Sequence, residues 1–85
     1  MNQINLLFFA NLREIAGARS VELSIDESST VADFKILVGE LYPDLKPHLE
    51  TALVSINKEY GFDEDVIPAG AEIALFPPVS GGSNF

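Results

Sequence analysis

The chain has 85 residues, with 13 acidic against 5 basic side chains, a formal charge of −8, 47% hydrophobic residues and no cysteine. A chain of this length builds one core and one domain, burying about 60% of its unfolded surface, and no apolar stretch approaches the ~20 residues of a membrane span. The charge opposes nucleic acid and anionic lipid and suits a basic protein partner, or simply keeps a small domain soluble, while the missing cysteine excludes disulfides, thiolate metal sites and thiol nucleophiles.

In residues 3–9, Ile4, Leu6 and Phe8 fall on one side of an extended chain and Leu7 and Phe9 on the other, which predicts a strand inside a sheet. Asn11 is placed to cap a short helix through Leu12 and Ile15, with Glu14 in its first turn and Gly17 as its stop. Val21, Leu23 and Ile25 alternate with Ser20, Glu22 and Ser24, predicting a half-buried strand paired to the first. After the turn chemistry of Asp26-Glu27-Ser28-Ser29, Thr30 and Asp33 read as a capping box with Asp in place of Glu. They open the principal helix, expected near residues 30–42. Its apolar stripe is Val31, Phe34, Leu37, Val38 and Leu41, its polar side carries Asp33, Lys35 and Glu40, and Pro43 ends it.

Residues 44–51 read as a connecting segment, after which Ala52, Val54 and Ile56 alternate with Leu53, Ser55 and Asn57 as a third strand. Asn57-Lys58 turns the chain, since Asn tolerates positive φ, and residues 59–62 are expected to pair briefly before the acidic run Asp63-Glu64-Asp65. Pro68-Ala69-Gly70 makes a turn into the last strand, Glu72 to Phe76, with Ile73 and Leu75 on one side and Ala74 and Phe76 on the other. The whole predicts an α+β fold: a mixed sheet with its first and last strands as parallel central neighbours, one principal helix packed on one face, and a right-handed crossover. Phe9 and Phe76 then fall on the face the helix leaves open, where an uncovered aromatic patch is expected to dock a partner.

Side-chain chemistry is sparse. His48 has no second histidine with which to build a metal site or a nucleophile–base pair, and the acidic run lacks the spacing of a calcium loop; a loop or surface role is expected for both, and no metal site. The chain end is more informative. Pro77-Pro78 follows the last strand, and Gly81-Gly82 follows four residues later. Glycines lack a Cβ and let backbone pass through a narrow channel, so the useful atom is expected to be a backbone carboxyl; the alternative is an ordinary frayed terminus.

Three segments, Leu7-Phe8-Phe9-Ala10-Asn11-Leu12-Arg13-Glu14-Ile15-Ala16-Gly17, Ser55-Ile56-Asn57-Lys58-Glu59-Tyr60 and Leu75-Phe76-Pro77-Pro78-Val79-Ser80-Gly81-Gly82, together resemble the MoaD/ThiS ubiquitin-like sulfur carriers. Within them the chain is most similar to the small, sulfur-carrier subunits of molybdopterin synthase. The resemblance runs through Gly82. It implies a β-grasp (ubiquitin-like) domain over residues 1–79 and a flexible tail over 80–85 with Gly81-Gly82 and a three-residue extension.

What the resemblance further implies is a noncatalytic carrier within a sulfurtransferase complex. An E1-like adenylating enzyme uses ATP to activate the carboxylate of Gly82, which becomes a thiocarboxylate. The tail then enters the active site of a large synthase subunit and gives sulfur to a cyclic pyranopterin precursor, two carriers serving each dithiolene. The carrier itself binds no cofactor. Phe9, Tyr60, Phe76, Pro77, Pro78 and Val79 match the partner-packing surface, and Arg13 falls where the family has a partner-contacting arginine. The bland alternatives are core packing for Phe9 and Phe76 and an ordinary surface charge for Arg13.

Ser83-Asn84-Phe85 departs from the pattern that the resemblance implies, in which sulfur donors normally end at the second glycine. A processing protease, a working end other than the genetic one, and loss of the carrier role are the three readings, of which processing is expected. Two other functions share the fold and tail: a sulfur carrier for thiazole or amino-acid synthesis, and a noncatalytic binding module or protein modifier with a blocked tail. No secretory signal precedes the first strand, so a cytoplasmic location is expected.

Overall fold

The computed structural model describes residues 1–78; Val79 and the expected tail over 80–85, with Gly81 and Gly82, lie outside them. The elements run β1 (Asn2–Phe8), α1 (Asn11–Ala16), β2 (Ser20–Ile25), α2 (Val31–Leu41), a 3₁₀ turn (Pro43–Leu45) leading into α3 (Lys46–Leu49), β3 (Leu53–Ile56), β4 (Glu59–Tyr60) and β5 (Glu72–Phe76). The strands form one sheet in the order β2-β1-β5-β3-β4. β1 and β5 are parallel, with Leu6 opposite Ile73 and Phe8 opposite Leu75, and the other pairings are antiparallel. This is the expected β-grasp arrangement, first and last strands side by side.

Alternation along the strands decides which face is core. Ile4, Leu6 and Phe8 of β1, Ile73 and Leu75 of β5, and Val54 of β3 are buried against Val31, Phe34 and Val38 of α2. Leu12 of α1 and Leu45 and Leu49 of the connection complete that core.

The N-terminus of α2 shows why the helix begins where it does. The Thr30 hydroxyl accepts from the Asp33 N–H at 3.3 Å, and the Asp33 carboxylate accepts from the Thr30 N–H at 3.1 Å, closing the expected capping box. The next two amides, Val31 and Ala32, donate to the carbonyls of Asp65 and Asp63 at 2.9 and 3.1 Å. The acidic run therefore satisfies donors that a helix start leaves without partners. Its side chains are engaged locally: Asp65 accepts from the Phe62 N–H at 2.8 Å, and Asp63 pairs with Lys35 at 3.2 Å.

Three expectations are corrected. Residues 44–51 were expected as a plain connection, yet Pro43–Leu45 and Lys46–Leu49 are helical. Leu45 and Leu49, four apart, both reach the core, and Pro43 and Pro47 occupy first-turn positions where the missing N–H is no loss. Asn11 does not cap α1; it is the first helical residue, and the cap position belongs to Ala10 at φ 54°, without a side-chain cap bond. Gly17 does end that helix, at φ 75°, donating to the Arg13 carbonyl. Leu41 is 50% exposed instead of continuing the stripe. Tyr42, one residue on, packs edge-to-face on Phe8 at 5.5 Å between ring centroids and fills that end of the core.

Candidate functional site

The sheet face away from α2 is built by register. Leu7 stands opposite Ser20 on one side and Ala74 on the other, Ala74 opposite Ser55, and Ser55 opposite Tyr60. Cross-strand partners share a face, so these residues make a row across all five strands. One step toward the C-terminal ends of β1 and β5, Phe76 stands opposite Leu53. Phe9, just past β1, continues the parallel ladder by donating its N–H to the Leu75 carbonyl at 3.1 Å. One step the other way, Asn5 lies between Glu22 and Glu72. The face is thus apolar at the end where β1 and β5 run out and polar at the other.

At the apolar end the Phe9 and Phe76 rings stack at 4.6 Å, 19° from parallel. Stacking covers part of each ring and contributes about 0.5–1.5 kcal/mol, but Phe9 is still 36% exposed and Tyr60 is 72% exposed. Neither Phe9 nor Phe76 belongs to the buried core. They border a shallow open depression of about 770 Å³, floored by Leu7, Leu53 and Ala74 and edged by Tyr60, Lys58 and Pro77. Exposed aromatic and aliphatic carbon gathered in this way is the usual chemistry of a protein contact.

Of the residues expected to meet a partner, Phe9, Tyr60, Phe76 and Pro77 come together here. Arg13, exposed on α1, and Pro78, exposed after β5, do not line the depression, and Val79 lies outside the described residues. Leu7, Leu53, Ala74 and Lys58 were not singled out from the sequence. Parity offered the signal for the first three, since Leu7 alternates in step with Phe9, Ala74 with Phe76, and Leu53 pairs with Phe76.

This face holds no paired nucleophile and base. His48 is in α3, which packs on α2 behind the sheet, and among the described residues no group of acidic, histidine or cysteine side chains could hold a metal ion. What the face does have is an exit: Pro77 and Pro78 cannot donate to a strand ladder, so the chain leaves the sheet at the apolar end.

Residues 6–82 match the ThiS family. The molybdopterin synthase sulfur carrier subunit of Dictyostelium discoideum is 39% identical over 85 residues, covering 95% of this chain and 98% of that protein. Small archaeal modifier protein 1 of Haloferax volcanii is 39% identical over 83 residues, covering 87% and 94%. The crystal structure of that modifier superposes with a TM-score of 0.84 at 32% identity, covering 95% of this chain and all of the other. The family match spans most of the chain and the fold of the described residues agrees with it, so the chain belongs to the ThiS family, with the ubiquitin-like β-grasp fold of its relatives.

Proposed function

We propose that this chain is the sulfur-carrier subunit of a molybdopterin synthase, noncatalytic alone and active as one component of a sulfurtransferase complex in the cytoplasm. The observation that carries the reading is the continuity of β5 with the tail. The strand that contributes Phe76 to the apolar face runs directly into Pro77-Pro78, and Gly81-Gly82 follow in the same chain. A partner seated on that face has the glycines within reach, since six residues past Phe76 extend at most about 20 Å.

The chemistry belongs to the backbone terminus. With Gly82 as the last residue, its carboxylate oxygen attacks the α-phosphorus of ATP on the E1-like enzyme, pyrophosphate leaves, and an acyl-adenylate forms. Hydrosulfide from the sulfur donor displaces AMP and leaves a thiocarboxylate. Its sulfur attacks an oxygen-bearing carbon of the cyclic pyranopterin precursor inside the large subunit, forming a carbon–sulfur bond as that carbon's bond to oxygen breaks and the oxygen leaves protonated, and water then cleaves the acyl–sulfur bond, returning the Gly82 carboxylate. A chain without cysteine needs no thiol for any of these steps. The carrier contributes binding through its apolar face, and the large subunit contributes the catalytic side chains.

Removal of Ser83-Asn84-Phe85 by a protease precedes activation in this reading. The test compares the full-length chain with one ending at Gly82, each incubated with the activating enzyme, ATP and a sulfur donor and read by intact mass. The shorter chain is expected to gain the mass of one oxygen-to-sulfur exchange, and the full-length chain to do so only after proteolysis. Full-length protein that is thiocarboxylated at Phe85 and supports dithiolene formation uncut overturns the reading.

The equal identity to an archaeal modifier protein favours a second reading, in which the activated Gly82 carbonyl is transferred to a lysine amine of another protein. Denaturing immunoblots of the native cell separate the two. A ladder of high-mass conjugates marks the modifier, and a free chain alone marks the carrier.

A further inference from the structure

The β3–β4 turn consists of Asn57 and Lys58, both with left-handed backbone, φ 50° and 73°. Asn57 is explained by the fold. Its N–H donates to the Glu72 carbonyl at 2.8 Å and its side-chain oxygen accepts from the Glu72 N–H at 2.9 Å, which ties the hairpin to the start of β5. Lys58 is not explained by the fold. At φ 73° glycine carries no steric penalty and a residue with a Cβ does, and two-residue turns with positive φ at both positions favour Asn-Gly.

Nothing within the described residues compensates. Their ion pairs are the Met1 amine with Glu27 and Lys35 with Asp63. The Lys58 ammonium has no carboxylate or hydrogen-bond acceptor among those residues, although Glu72 edges the same depression. Among the described residues Lys58 is also the one cation lining that depression, while the polar row beside it carries Glu22 and Glu72. An unfavourable backbone that holds an unpaired, exposed charge at the edge of an apolar face points outward, to a bound molecule.

We propose that Lys58 is a specificity-determining contact of the docking face, pairing with a carboxylate on the large synthase subunit. This rests on the reading of the face given above. Because Asn57 fixes the turn beside Glu72, and Phe76 lies four residues on along β5, the carboxylate is placed within a lysine side chain's reach of a backbone point about 13 Å along the strand direction from the aromatic pair, at ~3.3 Å per residue. A partner with matching apolar shape but no acid there, or with a base there, is discriminated against. Charge at an interface rim acts mainly on association rate and partner choice, and salt screens it.

The test uses the full chain and the large synthase subunit of the same organism, with binding measured at low salt and at high salt. Lys58→Arg and Lys58→Glu keep the Cβ and so the same backbone penalty, which leaves charge as the main difference. Lys58→Arg is expected to bind like the wild type, Lys58→Glu to associate about five- to tenfold more slowly at low salt, and the gap to close at high salt. Lys58→Gly is expected to unfold at an equal or higher temperature and yet bind more weakly at low salt, a pairing of effects that a structural role does not produce. If Phe76→Ala weakens binding while Lys58→Glu and Lys58→Gly bind like the wild type at low salt, the Lys58 contact is refuted and the face stands. If none of the three changes binding, the face itself is misassigned and the contact falls with it.

Discussion

Replacing Phe9 by alanine separates what its ring does for the fold from what it does for a partner. A phenylalanine side chain buries about 150–250 Å² when fully covered. The exposed 36% of Phe9 is therefore about 70 Å² that a docked partner can remove from water, worth about 1.8 kcal/mol at ~25 cal/mol per Å². That corresponds to about a 20-fold rise in Kd for the large subunit. The ring also stacks on Phe76, so stability should fall as well, by the stacking contribution of about 0.5–1.5 kcal/mol and some lost packing, within the 5–15 kcal/mol of a typical domain. Calorimetric titration of folded Phe9→Ala against the large subunit checks the affinity, and the loss should persist at high salt because it is apolar. A double-mutant cycle with Phe76→Ala then reads the coupling of the two rings. Wild-type affinity in a folded Phe9→Ala variant would refute the assignment of this ring as a binding anchor.

Two further outcomes concern the fold. Thr30→Ala removes the hydroxyl that accepts the Asp33 amide and should lower the denaturant-derived stability by about 1 kcal/mol with an unchanged m-value. Gly17→Ala places a Cβ in open space at φ 75°, so only the backbone is perturbed; thermal or denaturant unfolding should show a loss of about 1–2 kcal/mol, with no change in partner binding.

The sequence made most of this architecture legible where one physical signal acted alone. Strict alternation located β2 and β5 to the residue, and the Thr30–Asp33 spacing located the start of α2. It misled where two signals competed. Pro43 read as the end of the principal helix and residues 44–51 as a connection, although a proline at the start of a helix forfeits nothing, and Leu45 and Leu49 carry helical spacing. Asn11 has the better capping side chain, but the cap position fell to Ala10, directly after the Phe9–Leu75 backbone bond that holds the end of β1. For the site, the aromatic pair was foreseeable from parity, whereas Lys58 was not. Its significance depends on a backbone angle and on the absence of an ion pair to Lys58 among the described residues, neither of which spacing encodes.

The position of β5 has a mechanical consequence. A tail drawn into another protein's channel transmits tension to Phe76 along the strand axis, and β5 is held on one side by β1 and on the other by β3. Hydrogen bonds of an antiparallel pair lie across the strand direction, and those of the parallel pair are slanted to it, so axial tension shears both ladders together and does not open them one bond at a time. An edge strand such as β4, two residues long, has a single short ladder with which to resist the same load. The load on the tail is thereby shared across the centre of the sheet, and the domain can be pulled by its end while keeping its open apolar face in register.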